Sequence, residues 1–405
     1  MSLMPVDQAL ETILKSFQPL DSEIIPLSGA FGRTTAADHC AALTQPPFDA
    51  SAMDGYAVRA EDVAAAPVDL RVIGEAPAGR SFAGELLPGT CVRIFTGGPL
   101  PRGADTVIIQ ENTERLTGDK IRIMTPAARG RNIRPAGNDF VQGQCLVTTG
   151  SRLSSRHIGM MAAANIARVT VSRKPRIALL STGDELVTVG EPVGPDQIIS
   201  SNNLLLSTLI EEHGGQAVDL GIAKDSQAAL EEKIARLKST GDIDLFVTIG
   251  GASVGDHDLV QKVLGQHGLE VDFWKIAIRP GKPMIFGAFN GGPMIGLPGN
   301  PASAYVCAVN FMLPALHVML GRRHIGAARA IAYCAHDLAE NGAREDYMRA
   351  RYVENDEGQK IVTATARQDS AKLSTLARAN CLLIRPPHAP KAAAGAKVEI
   401  LLLAP

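Results

Sequence analysis

Short apolar runs alternate with amphipathic stretches from Arg176 onward, and this alternation constrains the fold more than any other feature. The predicted strands span 177–180, 218–222 and 244–249, and the predicted helices span 201–213 and 226–238. Alternation at this spacing predicts a parallel sheet with helices on both faces. Ligands of such sheets bind beyond the carboxyl ends of the strands, so we expect the functional loops at that edge.

A glycine-rich loop follows the third of these strands, in the run Thr248-Ile-Gly-Gly-Ala-Ser-Val-Gly-Asp-His-Asp258. Glycines allow backbone N–H groups to approach a ligand closely, and the helix that begins near Asp258 adds a partial positive charge. The loop can therefore hold a phosphate. Asp256 and Asp258 would repel a bare phosphate, so their presence favours a divalent cation between the acids and the anion.

The chain has 405 residues, which is enough for roughly two to four domains. Glycine and proline separate short β-type runs between about residues 51 and 139, and helical periodicity resumes at 154–165 with Ser154 as N-cap. We therefore expect a multidomain α/β plus β protein. The predicted domains are a mixed N-terminal domain at 1–50 plus 140–175, an inserted β domain at 51–139, a central three-layer α/β domain at 176–327 and a C-terminal β domain at 328–405.

Composition excludes several classes of protein. The net charge is −2 and no basic run occurs, which gives no support to a nucleic-acid or membrane-surface role. Asp7 and Glu11 interrupt the amphipathic first helix, unlike the apolar core of a secretory signal, and we expect no apolar stretch long enough to span a bilayer. The six cysteines form no C-x-x-C pair, which indicates reduced thiols in a cytoplasmic protein rather than a disulfide framework or a zinc site.

Three further loops in the second half have chemical character. Ser181-Thr-Gly-Asp-Glu-Leu186 follows the first strand, although an ordinary strand-to-helix turn would have the same pattern. The stretch 274–283 places Lys275, Arg279 and Lys282 around a Pro-Gly bend, where they can face one anion or form a solvated surface turn. Gly296-Leu-Pro-Gly-Asn-Pro-Ala-Ser303 predicts a helix start with Asn300 as N-cap and Pro301 at the first helical position.

Two loops in the first half combine acids with turn residues, namely 48–57 around Asp54-Gly55 and 96–105 around Thr96. Locally, an ordinary turn explains both. The histidines His157 and His317 lie on helical stretches, and we expect packing or surface roles for them rather than metal ligation.

The ordered set of these motifs resembles the molybdopterin molybdenumtransferase family, which includes the gephyrin E domain. The matching runs are Ala52-Met-Asp-Gly-Tyr-Ala57, Thr96-Gly-Gly-Pro, Gly183-Asp-Glu-Leu186, Gly250-Gly-Ala-Ser-Val-Gly255, Pro280-Gly-Lys-Pro283 and Leu297-Pro-Gly-Asn-Pro-Ala-Ser303. The resemblance covers nearly the whole chain. It implies a four-domain, elongated homodimer whose active site is shared between subunits. It also implies a transferase that converts adenylylated molybdopterin and molybdate, with Mg²⁺, into molybdenum cofactor and AMP.

The resemblance also implies roles for individual residues. The catalytic set would be Asp54, Thr96, Asp139, Glu185, Asp225, Asp258 and Lys275, with Glu185, Asp225 and Asp258 as magnesium ligands. The set that binds the pterin nucleotide and molybdate would be Thr182, Gly183, Gly250, Gly251, Ser253, Gly255, Arg279, Lys282, Pro298, Asn300, Pro301, Arg349 and Ser370. Two positions depart from the family pattern: Arg279 replaces a lysine of some members, and Asp369 stands where glycine is often seen.

Two functions from different classes stay open at this point. One is the molybdenum-inserting enzyme, with a molybdopterin adenylyltransferase and a molybdoenzyme or cofactor acceptor as partner proteins. The other is a non-catalytic molybdopterin-binding scaffold with the same fold. Acids in both halves of the proposed site favour the enzyme. A P-loop kinase is disfavoured because no G-x-x-x-x-G-K-[ST] run occurs.

Overall fold

The computed structural model describes residues 3–251 and 259–403. Its centre is a six-stranded sheet, and the predicted strands are confirmed. In spatial order the strands are Gln216–Ala223, Arg176–Thr182, Leu245–Ile249, Gly292–Leu297, Pro283–Phe289 and Leu269–Lys275. The first four strands are parallel. Pro283–Phe289 pairs antiparallel with its neighbours on both sides, so the sheet is mixed rather than purely parallel.

Helices cover both faces of this sheet, which confirms the three-layer architecture. Ile177 and Leu179 belong to one apolar core and Ala178 and Leu180 to the other, because successive side chains of a strand point to opposite faces. Asn202–Glu212 and the helical run 301–319 pack on the first face. Gln227–Ser239 and Leu259–Gln266 pack on the second.

One long helical run contributes more buried residues to the first core than the helices Val6–Leu14 and Asn202–Glu212 do. It consists of Pro301–Cys307, a π-helical turn at Ala308–Met312 and Leu313–Met319. By length and hydropathy the run could cross a membrane, so the expectation that no such stretch exists was wrong. Since 89% of it is buried inside the protein, it has the placement of a core helix. His317 lies on this run and is buried, with hydrogen-bond contacts to His213 and Arg322, and burial lowers its pKa to about 3.

The first helix, Val6–Leu14, packs in the same core. Its buried residues Val6, Ala9 and Ile13 recur at helical spacing and face the apolar run 308–319. The sequence suggested instead that this helix shares a domain with the helix Ser155–Ala163, which packs in a separate core. The two helices are therefore in different packing units.

The inserted β domain forms its own six-stranded sheet, as predicted. Its strands in spatial order are Thr106–Ile109, Gly55–Val58, Thr90–Ile94, Val68–Ala76, Lys120–Ile123 and Thr113–Arg115. Beside it, the small N-terminal unit pairs Ser22–Pro26 with Arg168–Ser172 and His39–Cys40 with Cys145–Val147. Ser154 caps the helix Ser155–Ala163, and the His157 ring accepts from the Ser154 N–H, so His157 has the structural role that was expected.

The C-terminal segment is a β domain, as predicted, and its sheet closes on itself. Its strands in order are Glu345–Glu354, Lys360–Ala364, Arg329–Cys334, Lys397–Leu402 and Cys381–Arg385, which pairs back with the first. A short strand of the central domain, Ile278–Arg279, joins this sheet beside Glu345 and Asp346. The loop that carries the predicted cations is therefore part of two domains.

Candidate active site

A cavity of about 710 Å³ lies at the carboxyl ends of the parallel strands, where the alternation predicted the functional loops. The predicted site residues that line it are Thr182, Gly183, Glu185, Asp225, Gly250, Gly251, Pro298, Asn300 and Pro301. Four strand ends thus bring together residues that are far apart in sequence. The cavity is large enough for a nucleotide-sized ligand.

Acidic side chains form one edge of the cavity. Glu185 and Asp225 line it, and Asp184 lies beside them with its carboxylate accepting from the Asp225 N–H at 3.0 Å. Burial raises the pKa of Asp225, and repulsion from Asp184 and Glu185 raises it further. The charge of Lys224 partly offsets these effects on the Asp225 pKa. Lys224 forms no ion pair with the described acids of this edge, and its ammonium donates to the backbone carbonyls of Asp184 and Leu186 at 2.9 Å.

Glycines shape the floor between the strand ends. Gly250 and Gly251 have positive φ angles of 90° and 62°, a conformation that favours glycine. A Cβ on Gly250 would lie 2.8 Å from the Thr182 carbonyl oxygen. The backbone at Gly250 therefore packs directly against the backbone at Thr182, which leaves no room for a side chain. Gly183 lets the Glu185 carboxylate fold back, since a Cβ there would lie 2.4 Å from that carboxylate.

Three buried polar atoms on the cavity wall have no hydrogen-bond partner among the residues that the structure describes. They are Thr182 Oγ1, Ser200 Oγ and Asn202 Oδ1. The amide nitrogen of Asn202 is satisfied by the Gly299 carbonyl at 2.7 Å, which holds its oxygen in place. Buried polar atoms without partners are rare, so this cluster indicates a polar ligand.

Ser200 and Asn202 were missed by the sequence reasoning. The available signal was the run Ser200-Ser-Asn-Asn203 at the start of an apolar helix that follows the Gly183-Asp-Glu turn. Polar residues at a helix start commonly act as caps, so the sequence pattern alone does not distinguish a capping role from ligand binding for Ser200 and Asn202. The Ser201 side chain forms no capping hydrogen bond with the residues that are described, so capping alone does not explain the run.

Asn300 does not act as the predicted N-cap, although Pro301 does begin the helix. No side-chain capping bond forms at Asn300, and its amide donates instead to Ser370 Oγ at 3.1 Å. The Ala302 N–H of the first turn donates to the Ser370 carbonyl at 3.0 Å. Ser370 of the C-terminal domain thus satisfies groups that a cap would, because tertiary contact replaces the local one.

The three predicted cations differ in their surroundings. Arg279 forms an ion pair with Asp346, which is 2% exposed, and this pair raises the pKa of Arg279. Lys275 and Lys282 form no ion pair with any residue in the described ranges. Lys282 is exposed next to Pro283, which lines the cavity. The sequence predicted that all three cations can face one anion, and the structure separates Arg279 from the other two.

Arg349 is fully buried and does not line the cavity. Its guanidinium donates to the Asp369 carbonyl at 3.1 Å, while its Nε has no partner in the part of the chain that is described. Burial lowers the pKa of Arg349. The same peptide segment continues to Ser370, so Arg349 holds the loop that reaches the helix start at Asn300.

Asp54, Thr96 and Asp139 do not line this cavity. Asp54 accepts from both the N–H and the hydroxyl of Thr96 at 2.8 Å, and these two bonds lower its pKa. The two loops of the inserted β domain therefore form one small polar unit. Asp139 is exposed where that domain rejoins the rest of the chain.

Ser253, Gly255 and Asp258 lie outside the described residues. Within the described ranges, no three His, Cys, Asp or Glu side chains are close enough together to hold a metal ion. The acidic edge offers Glu185 and Asp225, and Mg²⁺ is commonly held by one or two carboxylates together with substrate phosphates. The oxygen ligands present are of the kind that Mg²⁺ requires.

Family models match three consecutive parts of the chain. Residues 4–165 match the MoeA N-terminal region (domain I and II), residues 178–318 match a probable molybdopterin binding domain, and residues 332–403 match the MoeA C-terminal region (domain IV). Together these matches extend over most of the chain.

Individual relatives agree with the family models. A molybdopterin molybdenumtransferase of Nostoc is 36% identical over 90% of this chain and 85% of its own length, and one of Haemophilus influenzae is 34% identical over 98% of both chains. A solved structure of a molybdopterin biosynthesis MoeA protein from Pyrococcus horikoshii is 30% identical, covers 99% of this chain and 100% of that one, and superposes with a TM-score of 0.84.

Proposed function

The chain belongs to the molybdopterin molybdenumtransferase family, transferases that insert molybdenum in molybdenum cofactor biosynthesis, and on this premise we propose that its substrates are adenylylated molybdopterin and molybdate. The observation that carries the proposal is the cavity at the strand ends. Its wall combines unpartnered polar atoms with a glycine floor, and its edge is acidic. Unpartnered polar atoms and a glycine floor suit a nucleotide, and the acidic edge suits a metal ion bound to its phosphates.

The residues of the wall bind and orient the pterin nucleotide. Thr182, Ser200 and Asn202 offer their free polar atoms, and Gly250 and Gly251 allow close approach of the ligand to the backbone. Ser253 and Gly255 would continue this cradle. Fixing both phosphates of the substrate holds the pyrophosphate link in one place, which contributes to the rate through orientation.

The acids position the metal that this chemistry requires. We assign Glu185 and Asp225 as its ligands, together with Asp258. Bound there, Mg²⁺ would neutralise the phosphates whose link is broken when AMP leaves. A cation at this edge would also relieve the repulsion among Asp184, Glu185 and Asp225 that raises the Asp225 pKa.

Molybdate would bind beside the cavity, at the cation loop 274–283 and the loop that contains Ser370. We call these two loops, with Arg349, the cationic side of the cavity. Lys275 and Lys282 have no ion-pair partner among the described residues and can attract the dianion, while Ser370 can donate its hydroxyl. Arg279 and Arg349 would position the loops of this side through their contacts with Asp346 and with the Asp369 carbonyl. Asp346 already neutralises Arg279, which makes direct contact with molybdate a weaker role for it.

We propose that a homodimer completes the site. Asp54 and Thr96 form a polar unit that lies away from the cavity of their own chain, which is expected if they serve a second copy. Asp139 would act with them. A cytoplasmic location fits six cysteines that are all free, and the partner proteins would be a molybdopterin adenylyltransferase upstream and a molybdoenzyme or cofactor acceptor downstream.

AMP release tests the reaction. Purified protein is incubated with adenylylated molybdopterin, magnesium and molybdate, and AMP is followed by chromatography. We expect AMP that depends on all three components. Binding of the pterin nucleotide without any AMP would instead identify a non-catalytic scaffold.

Subunit mixing tests the shared site. Asp54→Asn and Glu185→Gln proteins should each be inactive, and exchange of their subunits should restore roughly a quarter of the sites. Differently tagged subunits verify that exchange has taken place. Complete exchange without any return of activity would show that Asp54 acts within its own chain.

A further inference from the structure

Two exposed cysteines face each other where the inserted β domain joins the rest of the chain. Cys40 and Cys145 are direct partners in the antiparallel pair formed by His39–Cys40 and Cys145–Val147. The other four cysteines, Cys91, Cys307, Cys334 and Cys381, are buried. The chain therefore has one accessible thiol pair and four shielded thiols.

The hydrogen bonds around this pair define its geometry. The Ala41 N–H donates to the Gln144 carbonyl at 2.9 Å, which makes Cys40 and Cys145 a non-hydrogen-bonded pair of the ladder. In such a pair the Cα atoms are typically about 4.5 Å apart, and disulfides span Cα separations of about 4.4–6.8 Å. The ladder shifts register just beyond this pair, between Cys145 and Val147, but the Cys40 side chain still lies close enough to Cys145 to raise its pKa through a hydrogen bond. A bond between the two sulfurs therefore needs little backbone movement.

Cys40 lies on the segment that leads into residues 51–139, and Cys145 lies on the segment that leads out of them. These are the two covalent connections between the inserted domain and the rest of the described protein. Immediately beyond the pair, Gly143 N–H donates to the Ala41 carbonyl at 2.9 Å, and Gln45 N–H donates to the Phe140 carbonyl at the same distance. We call the paired segments 40–45 and 139–145 the neck. A covalent link between Cys40 and Cys145 would fasten both strands of the neck at its base.

We propose that Cys40 and Cys145 form a redox-sensitive dithiol that is oxidised to a disulfide by small-molecule disulfides such as oxidised glutathione. One cysteine thiolate attacks the glutathione disulfide, which forms a mixed disulfide and releases one glutathione thiolate. The second cysteine thiolate then attacks the protein sulfur and releases the second glutathione. Two electrons pass from the cysteine sulfurs to glutathione, and the two thiol protons end on the two glutathione molecules.

The surroundings indicate the order of the two steps. Partial desolvation by neighbouring atoms raises the pKa of the exposed Cys145 thiol, and the carboxylate of Asp38 and the neighbouring Cys40 raise it further, so its thiolate is disfavoured near neutral pH. Cys40 is therefore expected to attack first and Cys145 to close the disulfide. Asp38 is fixed in place by hydrogen bonds from the N–H and hydroxyl of Thr149 at 2.7 and 2.9 Å.

The consequence concerns the loops carried by the inserted domain. The chain joins the loops of Asp54 and Thr96 to the rest of the described residues through the neck, so a disulfide there would restrain their motion. The pairing itself is independent of the proposed reaction and needs neither molybdate nor the pterin. Its test can fail while the proposed function stands, and the reverse is also true.

The first experiment uses the native full-length protein and oxidised glutathione. After oxidation, free thiols are alkylated under native and then denaturing conditions, and peptides are mapped by mass spectrometry without reduction. We expect a peptide that links Cys40 to Cys145, four alkylated buried cysteines, and loss of the link after dithiothreitol. Stable glutathione adducts on both cysteines, or two thiols that stay fully alkylatable, would overturn the proposal.

Two single variants provide matched controls. Cys145→Ser should stop at a glutathione adduct on Cys40, whereas Cys40→Ser should form its adduct on Cys145 more slowly. Hydrogen exchange of the neck amides should slow on oxidation of the wild type and stay unchanged in both variants. Equal slowing in the variants would show that glutathione binding, and not the cross-strand bond, restrains the neck.

Discussion

The acidic edge and the cationic side of the cavity differ in how their charged side chains are paired. Glu185 and Asp225 have no cationic side chain paired with them among the described residues, and their mutual repulsion contributes to the raised pKa of Asp225. On the cationic side, neither arginine lines the cavity: Arg279 is neutralised by Asp346, and Arg349 is buried against the carbonyl of Asp369. The protein thus leaves its acids for a ligand, whereas it uses part of its positive charge to dock the C-terminal domain.

This difference assigns distinct functions to residues that look alike in sequence. Ile278–Arg279 pairs with Glu345–Asp346 as a parallel strand of the C-terminal sheet, so backbone hydrogen bonding attaches the cationic loop to that domain. Lys282 lies three residues beyond Arg279 and has no ion pair within the described ranges. We therefore expect Lys282 to act on the substrate and Arg279 to act on the position of the loop.

The largest expected effect is on the acidic edge. Glu185→Gln and Asp225→Asn each remove a charge that the metal and the phosphates require, and we expect turnover to fall about a hundredfold or more, or roughly 3 kcal/mol of transition-state stabilisation. AMP release at limiting magnesium measures this loss. Glu232→Gln, on an exposed glutamate of the helix Gln227–Ser239, is the matched control and should be neutral. Wild-type rates in both site variants would remove the acidic edge from the mechanism.

The next effect separates the two classes of cation. Lys282→Ala should raise the molybdate concentration needed for half-maximal activity by about tenfold, because an exposed charge-assisted contact is lost. Binding of the pterin nucleotide should change far less. Lys238→Ala, on an exposed lysine of the helix Gln227–Ser239, controls for net charge. If the pterin nucleotide loses affinity instead, Lys282 contacts the phosphates rather than molybdate.

A smaller effect is expected on stability at the junction. Arg279→Met leaves the Asp346 carboxylate, which is 2% exposed, without its partner, and we expect a loss of about 2 kcal/mol in unfolding free energy. Urea unfolding measures this loss. The pair Arg122–Asp69 in the inserted domain is 42% exposed on both sides, so Arg122→Met should cost less. Equal losses in the two variants would contradict a special role for the junction pair.

Apolar runs and turn residues in the sequence predicted the strands of the central sheet and the loops at their ends, because these depend mainly on residues close together in the chain. The strands around Leu179 and Val247 were recognisable from apolar runs, and the rule that ligands bind at strand ends placed Glu185 and Gly250 at one cavity. Asp225 came from the family resemblance, and it too lines that cavity. For these residues, the sheet topology was enough to predict proximity.

The remaining features depend on contacts between distant segments. The pairing of Arg279 with Asp346 spans two domains, and the hydrogen bond from Asn300 to Ser370 replaces a local cap that the sequence favoured. The free oxygen of Asn202 is significant only because its nitrogen is held by Gly299. Local propensity contains no information about such partners, since tertiary contacts decide which polar groups stay unsatisfied.

The smallest expected effect reverses the usual sign of a mutation in an active site. The folded-state pKa of Asp225 is raised, so the stability linked to its protonated form is fully present below the unfolded pKa and is lost as pH rises through the folded pKa. At neutral pH without metal, ionised Asp225 is therefore destabilising. Asp225→Asn should slightly increase the unfolding free energy at pH 7 while it strongly lowers turnover.

Thermal unfolding in EDTA measures this gain, and the gap between Asp225→Asn and wild type should shrink as pH falls toward 4. Added magnesium should shrink it as well, because a bound cation stabilises the ionised wild-type carboxylate and has less affinity for the amide. Asp54→Asn provides the opposite control. The Asp54 pKa is lowered by two bonds from Thr96, so its ionised form stabilises the fold above the unfolded pKa and that contribution is lost in acid. A loss of stability in both variants at pH 7 would mean that the acidic edge is already neutralised within the protein, and the contrast with the cationic side would not hold.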